Sequence, residues 1–519
     1  MTQDAEVDDQ NSLRHFLLYS SEVEIQGIIQ TSSKFHWIGV PGAVTPEVES
    51  GDVFGSRRKP APYDRPYRFT GTEWMFRVLD QYEKALPMLR IQDPSYPDAD
   101  ALRAVVRVGN IGYPGETEKT TEGSDLIRER ILDDDPRTLY IQVWGGCNTI
   151  ARALMDIEAE YGDRADYEVL RQKVMHKVVL TACGEQDNSY REYIAEKWPD
   201  IAFVRTLQMG SYAYAWHSMP EGRSRQTLES EFMRNILEGN GPLMADYCTW
   251  GDGHHYEGEP AEFQFGDNRA LFREWFGVRD LGMKPYKPYD FLSEGDSPTF
   301  LFLMPFGFRN LEDFSQGGIS GRYVRDAVQH NSKGQPLNYW NVTEEDYLCQ
   351  DGSLQKTESM WRYVEDIQND FAARANWCSA GSREEAEHAP SVRIREGRNI
   401  AAAPSRTITL HAEGTSPDGR DIHFSFRICR EASDLTGVDD MADRQVQALQ
   451  EGLSKDSSAG TWNDGIDPNM GQAGDSFRIT IPENAGEGER LLVQLRGETR
   501  GKFTLASYDQ VILTIKGDC

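Results

Sequence analysis

The sequence predicts two units, an α/β domain with a mostly parallel open sheet and a C-terminal antiparallel β-sandwich. Up to about residue 305, short apolar runs alternate with amphipathic helical patterns, which is typical of βαβ units. After about residue 385, apolar and polar residues alternate between turn-rich spacers, which is typical of sandwich strands. We therefore predict an α/β domain at residues 1–386 and an Ig-like sandwich at residues 387–519.

The elements of the first unit follow from two periodicities. Short runs rich in β-branched and aromatic residues predict strands at 25–31, 138–144, 178–181 and 201–204. Apolar residues that recur every three to four positions predict helices at 12–20, 72–86, 148–161 and 190–197. Because ligands of parallel sheets bind beyond the carboxyl ends of the strands, functional residues are expected directly after the strands.

In the second unit, alternation of apolar and polar residues predicts strands at 422–428 and 477–481. Further strand candidates cover 407–412, 490–495 and 511–515, and one helical pattern covers 442–453. Short strands with turn-rich connections and little helix favour a sandwich of antiparallel strands.

The chain of 519 residues carries 84 Asp and Glu against 55 Lys and Arg, which gives a formal charge of −29. Nucleic acids and anionic membranes both select basic surfaces, so this balance argues against either partner. Most of the acidic surplus is attributed to solubility. Cation binding and neutral substrates stay open, and so does self-association into a homo-oligomer.

Seven cysteines without a C-x-x-C pair indicate buried, reduced thiols and neither a zinc knuckle nor a redox motif. No stretch approaches the ~18 apolar residues of a membrane helix. The first residues lack the regions of a signal peptide, so the sequence as written predicts a cytoplasmic protein. Only three residues precede the first acidic cluster, where a full strand is expected. With that strand and a leader missing, the protein would be secreted or periplasmic.

The segment 4–9 (DAEVDD) is the first candidate site, placed where a first strand would end and a helix would begin. Four carboxylates within six residues, those of Asp4, Glu6, Asp8 and Asp9, repel one another in a folded chain unless a cation compensates them. Several carboxylate oxygens suit Ca²⁺ or Mg²⁺ and not zinc. The alternative is that these acids only favour a helix N-terminus through capping and the helix dipole.

Two glycine-containing segments are further candidates. Residues 144–149 (WGGCNT) form a strand–glycine–helix junction, where glycine lets the backbone approach a ligand closely. Residues 293–298 (SEGDSP) place Asp296 between Gly295 and a Ser-Pro pair, and Pro298 excludes a central strand or the middle of a helix. Each segment alone also fits an ordinary turn.

Together, D-x-x-x-D-D after a strand, G-G-x-N-T-x-A-x-A-L and a late G-D-S-P resemble the motifs of the nucleoside-hydrolase superfamily. More closely, the chain is similar to the nucleoside-hydrolase-like family often labelled cellulose-binding-like protein, which carries a C-terminal Ig-like domain. The closer resemblance also draws on residues 8–12, 17–20, 31–37, 122–127, 318–322, 368–374 and 388–390. It spans nearly the whole chain and implies a parallel sheet of nucleoside-hydrolase type.

The resemblance implies one Ca²⁺ at the bottom of a sugar pocket. Asp4, Asp9 and Asp296 match the aspartate ligands, and Asn148 falls where a backbone carbonyl completes the shell. Asp8 matches the aspartate that binds sugar hydroxyls, and Asp4 would also serve as general base for the attacking water. A carboxylate-rich pocket would favour an oxocarbenium-like transition state.

The chain departs from nucleoside hydrolases at two places. Gly295 stands where they usually have a histidine that serves leaving-group departure, and Ala5 and Glu6 replace a Pro-Gly pair. Both changes are compatible with an O-linked leaving group that needs a carboxylic acid. Glu6 and Glu294 are the candidates for that acid.

Other polar and aromatic residues could line the sugar pocket, although each also fits core packing or a surface loop. They are Asn11, His36, Trp37, Trp216, His217, Trp250, His254 and His255. The resemblance also implies sugar-binding polar residues at Glu185 and Asp187, which follow the strand that ends near residue 181. Arg322 is expected to pair with a carboxylate in a structural role.

These observations favour a Ca²⁺-dependent hydrolase that cleaves a glycosidic bond in a carbohydrate or glycoside. Two alternatives stay open: hydrolysis of the N-ribosyl bond of nucleosides, and carbohydrate binding without catalysis. The sandwich does not separate them, because such modules either bind glycans or only brace a neighbouring domain.

Overall fold

The computed structural model describes residues 1–43, 48–49, 57–58, 63–252, 286–453 and 468–517. Two residues considered for the sugar pocket, His254 and His255, lie outside these ranges. Within them, no helix has both the length and the apolar character needed to cross a membrane. The six described cysteines are all buried thiols, as the sequence predicts.

The described strands, in chain order, are β1 Thr2–Gln3, β2 Ile28–Gln30, β3 Val48–Glu49, β4 Arg57–Arg58, β5 Val106–Val108, β6 Leu139–Val143, β7 Val178–Ala182, β8 Ala202–Arg205, β9 Tyr323–Arg325, β10 Tyr339–Val342, β11 Glu344–Leu348, β12 Leu354–Glu358, β13 Ser391–Ile394, β14 Asn399–Ala402, β15 Thr407–Thr415, β16 His423–Ile428, β17 Gln472–Ala473, β18 Ser476–Thr480, β19 Arg490–Arg500 and β20 Thr504–Ile515.

The described α-helices are α1 Val7–Leu17, α2 Trp74–Gln92, α3 Ala99–Arg103, α4 Glu122–Leu132, α5 Asn148–Tyr161, α6 Tyr167–Lys177, α7 Ala195–Lys197, α8 Met209–Tyr212, α9 Arg223–Gln226, α10 Ser230–Leu237, α11 Gly241–Ala245, α12 Ser297–Leu301, α13 Val364–Trp377 and α14 Val438–Leu453. A π-helical turn, Tyr190–Ile194, precedes α7.

The α/β domain is built on a sheet whose described strands follow the order β5-β2-β1-β6-β7-β8-β10-β9. Neighbouring strands are parallel except for β10 and β9 at one edge, which confirms the predicted mostly parallel sheet. The short strand β1 lies inside the sheet, with Thr2 opposite Ile29 of β2 and Val143 of β6. The segments that follow β1, β2, β6 and β7 therefore meet at one edge of the sheet.

Several helix boundaries differ from those expected, for identifiable reasons. α5 has the predicted bounds, whereas α1 begins at Val7 instead of residue 12. Its first turn contains two aspartates, which the helix dipole favours at that end. The predicted end of α2 is residue 86, but the helix continues through Pro87 to Gln92. Because Pro87 is exposed, water can solvate the carbonyl that loses its hydrogen bond there.

The C-terminal domain contains a three-stranded sheet, β13-β15-β18, and a five-stranded sheet, β14-β20-β19-β16-β17. Their strands pair antiparallel, apart from the parallel pair β14 and β20, and this confirms the predicted sandwich. Leu410, Phe426 and Leu491 belong to the shared core. The predicted domain boundary at residues 386 and 387 falls between the end of α13 at Trp377 and the start of β13 at Ser391.

A buried ionic network joins the two domains. Asp366 of α13 accepts hydrogen bonds from Arg496 Nε at 2.8 Å and Nη2 at 2.5 Å, and from the Tyr508 hydroxyl. Arg496 also donates to Glu498, and all four side chains are buried. Because a buried charge without its partner is poorly solvated, this network resists separation of the domains.

Replacing Arg496 should destabilise the whole chain. Arg496→Met leaves the buried Asp366 carboxylate without its cation, whereas Glu498 keeps its ion pair with Arg500, and we expect a loss of about 3–5 kcal/mol in the free energy of unfolding. Arg393→Met is the matched control, because Arg393 pairs with Glu413 at 2.8 Å and is 75% exposed. The control should cost at most about 1 kcal/mol. Urea unfolding measures both, and equal losses would contradict the stated role of the network.

Candidate functional site

The segment between β1 and α1 directs its carboxylates to one place. Ala5 has a φ of +74°, a left-handed conformation that is uncommon for a residue with a Cβ. Its N–H donates to Gln3 Oε1 at 3.0 Å, and its carbonyl accepts from Gln10 Nε2 at 3.2 Å. These two side chains stabilise the turn. Asp8 and Asp9 then occupy the first turn of α1.

The acidic side chains form two compact groups that share Glu6. One group is Asp4, Glu6 and His36, and the other is Glu6, Asp8 and Asp9. Within each group the ligand atoms lie within 4.8 Å of one another. The Asp4 N–H donates to Asp9 Oδ1 at 3.0 Å, and His36 Nδ1 lies 3.8 Å from Asp4 Oδ2. All five side chains are buried.

Repulsion within this cluster changes its protonation. Burial, followed by the charges of Asp4, Asp296 and Asp8, raises the pKa of Asp9 well above its usual value. Burial, followed by Asp8 and Asp4, does the same to the pKa of Asp296. Burial also acts to raise the pKa of Asp4, but its neighbours, His36 first, outweigh burial and lower that pKa. The cluster therefore resists complete ionisation unless a cation is present.

The surroundings of Asp4 and Asp296 indicate whether a cation fits the cluster. Both oxygens of each carboxylate are buried and accept no well-formed hydrogen bond from any residue that the structure describes. Burying such a group without a partner is unfavourable, and a hard cation is the partner that carboxylate oxygens prefer. The chemistry of Asp4 and Asp296 therefore fits a hard cation such as Ca²⁺, although neither compact group of ligand atoms includes Asp296.

The glycine pair after β6 is required by close packing at the sheet edge. A Cβ on Gly145 would lie 2.9 Å from Asp4 Cβ. A Cβ on Gly146 would lie 2.2 Å from Asp187 Oδ2 and 2.6 Å from the Ser32 carbonyl oxygen. Any larger residue at either position would displace an acidic side chain, so glycine here lets the loop approach the cluster.

Asn148 and Asp187 belong to the framework of the site. The Asn148 side chain accepts from the Thr31 hydroxyl at 2.5 Å and donates to Ser32 Oγ and the Asn110 carbonyl, each at 2.9 Å. Asp187 Oδ2 accepts from the Asn148 N–H at 3.1 Å, at the beginning of α5. Both side chains thus fix the loop after β6. Metal ligation by the Asn148 carbonyl and sugar binding by Asp187 stay predictions.

Glu185 is engaged by an arginine. Arg191 donates to its two oxygens at 2.5 and 2.7 Å, and the Tyr339 hydroxyl adds a bond of 2.8 Å. A buried carboxylate with three donors already has its hydrogen bonds satisfied. Sugar binding by Glu185 would therefore require this ion pair to open. Arg322, as expected, pairs with a carboxylate, that of Glu345 at 3.0 Å.

Asn11 connects α1 to two distant segments. Its Nδ2 donates to the Cys248 carbonyl at 2.9 Å and to the Ser293 carbonyl at 3.4 Å. The Cys248 N–H donates back to Asn11 Oδ1 at 2.9 Å. Asn11 thus fixes the loop that leads to Asp296, and its predicted contact with substrate stays untested.

Glu294 is held by framework residues. It is fully buried and accepts hydrogen bonds from the hydroxyls of Tyr247 and Ser297. Its Oε2 lies 2.7 Å from His15 Nδ1, a hydrogen bond that joins α1 to the segment before α12. A carboxylate with this many partners is poorly prepared to donate a proton to a leaving group.

Trp37 packs against a neighbouring loop. Its ring stacks on Tyr67 at a centroid distance of 4.6 Å, and its Nε1 donates to the Arg65 carbonyl at 3.2 Å. The ring is 3% exposed, so most of its surface is already covered. Contact with a sugar would need this packing to change.

Three further aromatic candidates come together around Tyr286. The Tyr286 ring stacks on His217 at 4.1 Å and on Trp250 at 4.5 Å, and Trp216 lies 5.5 Å away. Both tryptophans are fully buried. This geometry corresponds to core packing, the alternative that the sequence left open.

Sequence reasoning missed two residues at the cluster. The Tyr214 hydroxyl donates to Glu6 Oε1 at 3.5 Å. A Cβ on Gly295 would lie 2.9 Å from Asp8 Oδ2 and 3.5 Å from Cys183 Sγ, so this thiol is beside the carboxylates. Burial and the neighbouring carboxylates raise the pKa of Cys183 well above its usual value, which keeps the thiol protonated. Cys183 directly follows β7, a position that could have marked it, whereas no motif marks Tyr214.

A cavity of ≈ 310 Å³ lies elsewhere in the domain. Its lining includes Met1, Phe16, Leu126, Ile141 and Leu303, together with charged residues at its rim. None of the predicted site residues lines it, so the cavity does not mark the candidate site.

Comparisons with known proteins identify the family of the chain. Over residues 1–323 the chain matches the family described as "Cellulose-binding Sde182, nucleoside hydrolase-like domain". The chain belongs to this family. This match confirms the resemblance that the sequence motifs indicate. No curated protein matches the chain.

One solved structure is similar over the full length. It is a nucleoside hydrolase-related hypothetical protein from Saccharophagus degradans that is associated with carbohydrate metabolism. The match has a TM-score of 0.65 and 21% sequence identity, and it covers 99% of this chain and 98% of that chain. At this level of identity, the similarity shows the fold of the chain and does not extend to its activity.

The raised pKa values predict how the cation-free protein responds to pH. A carboxyl whose pKa is raised on folding stabilises the folded state at low pH, and that contribution is lost as pH rises above about 4. Asp9 and Asp296 are of this kind, and Asp4 opposes them with a lowered pKa. Because folding raises the pKa of Asp9 and of Asp296 well above the usual value, we expect the melting temperature of the wild type to fall relative to that of Asp296→Asn between pH 4 and 7.

Calorimetry with a chelator present measures this change. Adding Ca²⁺ at 100 times its Kd should restore about 2.7 kcal/mol at pH 7. Asp296→Asn is the control, because it keeps every other carboxyl whose pKa changes on folding. If the difference in melting temperature between the two cation-free proteins did not change over this range, the role given to the two aspartates would be contradicted.

Proposed function

We propose that the protein is a Ca²⁺-dependent hydrolase that cleaves a glycosidic bond in a carbohydrate or glycoside. The observation that carries the proposal is the burial of Asp4 and Asp296, whose oxygens accept no well-formed hydrogen bond from any residue that the structure describes. The carboxyl edge of a parallel sheet is also where such folds bind ligands. The family description and the association of the Saccharophagus degradans protein with carbohydrate metabolism support a carbohydrate substrate.

Each carboxylate has a proposed role. Asp4, whose pKa is lowered, accepts a proton from the attacking water, and Asp8 binds the sugar hydroxyls. Asp9 and Asp296 complete the cation site with Asp4. Ca²⁺, when bound, would polarise a water molecule and orient the sugar diol. The negative charge that remains favours the positive charge that develops at the anomeric carbon.

Glu6 is the better supported candidate for the leaving-group acid. Its Oε1 accepts from the Tyr214 hydroxyl at 3.5 Å within the cluster, whereas the oxygens of Glu294 are engaged by framework residues. Gly295 stands where nucleoside hydrolases usually have a histidine, and a Cβ there would lie 2.9 Å from Asp8 Oδ2. A histidine would therefore displace Asp8, which favours a carboxylic acid as proton donor and an O-linked leaving group.

Carbohydrate binding without hydrolysis is the second candidate. The words "cellulose-binding" in the family description favour it. The contacts that Glu185 and Trp37 already make do not distinguish a binding protein from a hydrolase, because both would need the same open pocket. Turnover separates the two candidates.

The test of the main proposal is hydrolysis by the full chain with Ca²⁺. We expect release of reducing sugar from cello-oligosaccharides or from aryl furanosides and pyranosides. Asp4→Asn and Asp9→Asn should abolish both turnover and Ca²⁺ binding measured by calorimetry. Free base released from inosine or uridine would instead favour N-ribosyl hydrolysis. Oligosaccharide binding with no turnover on the whole panel would favour the binding protein, and absence of Ca²⁺ binding by the wild type would refute the proposal.

Two glutamine variants distinguish the acid from the framework carboxylate. Glu6→Gln should lower kcat about 10²- to 10⁴-fold for alkyl glycosides, and less for aryl glycosides whose leaving groups need no proton. Glu294→Gln should instead lower the free energy of unfolding by about 1–3 kcal/mol, because an amide cannot satisfy the three hydrogen-bond partners of the carboxylate. If Glu6→Gln slowed both kinds of glycoside equally, Glu6 would not be the acid.

A further inference from the structure

Helix α13 contacts both the sandwich and α1, the helix whose first turn carries Asp8 and Asp9. Its residues Val364–Trp377 are almost all buried, and they include the charged Glu365, Asp366 and Asp370. Polar side chains on a helix that is buried all round need partners on every side. α13 therefore has to be matched to two domains at once.

One face of α13 is bonded to the sandwich. Asp366 accepts from Arg496 and from the Tyr508 hydroxyl, which belong to β19 and β20. Asn369 Oδ1 accepts from the Thr504 N–H at 3.1 Å, at the start of β20. These contacts fix both the position and the rotation of the helix relative to the sandwich.

The other face of α13 is bonded to α1 and the residues that follow it. The Phe371 ring stacks on the His15 imidazole with a centroid distance of 3.7 Å and an angle of 15° between the rings. Asp370 accepts from the Tyr19 hydroxyl, and Arg374 donates to the Leu18 carbonyl at 3.1 Å. α13 thus packs against the helix whose first turn carries Asp8 and Asp9.

His15 also reaches the second half of the predicted cation site. Its Nδ1 lies 2.7 Å from Glu294 Oε2, two residues before Asp296. The helix that carries Asp9 and the segment that carries Asp296 are therefore joined at one side chain. Phe371 of α13 covers that side chain directly.

We propose that α13 is a positioning helix through which the sandwich sets the cation affinity of the site. Asp366 fixes α13 to the sandwich, and the stacked Phe371 and His15 transmit that position to Asp9 and Asp296. The inference rests on the proposed function for the cation itself. It makes the C-terminal domain a part of the site instead of an appended module.

Two variants of the full chain test this proposal. Tyr508→Phe removes one hydrogen bond to Asp366, and Arg496→Met removes its ion pair. The Kd for Ca²⁺, measured by calorimetry far below each melting temperature, should rise about 3- to 10-fold in Arg496→Met and less in Tyr508→Phe. Arg393→Met, in an exposed pair of the same domain, should leave the Kd unchanged.

Hydrogen exchange of the wild type tests the proposal even if Arg496→Met does not fold. Coupling between two sites is reciprocal, so Ca²⁺ should slow exchange of amides in α13, β19 and β20 under conditions of local opening. Amides of β18, which pairs with β15 in the other sheet, serve as the internal reference.

Each result decides the inference. A Kd raised in the two variants, or protection that reaches β19 and β20, supports it. Variants with lower stability, an unchanged Kd and no protection of α13 overturn it while the proposed function stands. A wild-type protein that binds no Ca²⁺ overturns both.

Discussion

Electrostatic crowding at the end of β1 is the constraint on which the rest of the site depends. Asp4, Glu6, Asp8 and Asp9 are buried within six residues of chain, and Asp296 adds a fifth carboxylate from a distant segment. Because these side chains are buried away from bulk solvent, repulsion among them is weakly screened. The surrounding structure brings the His36 imidazole near Asp4. Within the described residues, the oxygens of Asp4 and Asp296 accept no well-formed hydrogen bond, an arrangement that suits a cation.

The framework around the cluster uses the same kinds of side chain as the cluster itself. The Asp187 carboxylate accepts a hydrogen bond from the first turn of α5, and the Glu185 carboxylate forms an ion pair with Arg191. Glu294 has three hydrogen-bond partners in the framework. A carboxylate that caps a helix and one that binds a sugar are chemically identical. What separates them is the set of donors that the fold brings within reach.

Burial also connects the sandwich to the site. An ion pair such as that of Asp366 and Arg496 is stable only while both partners stay out of water together. It therefore ties the position of β19 to that of α13, and α13 in turn packs against His15. Composition and strand patterns separate the sandwich from the α/β domain. Its buried contacts nevertheless join it to that domain.

The sequence by itself determined the class of fold, the helix at 148–161, the acidic turn and the glycine pair, because periodicity and local crowding are properties of neighbouring residues. Tertiary structure alone decided which carboxylates have donors. Glu294 and His15 are 279 positions apart, and Tyr214 is 208 positions from Glu6. No local pattern encodes such pairs, since they exist only after distant segments meet at one edge of the sheet.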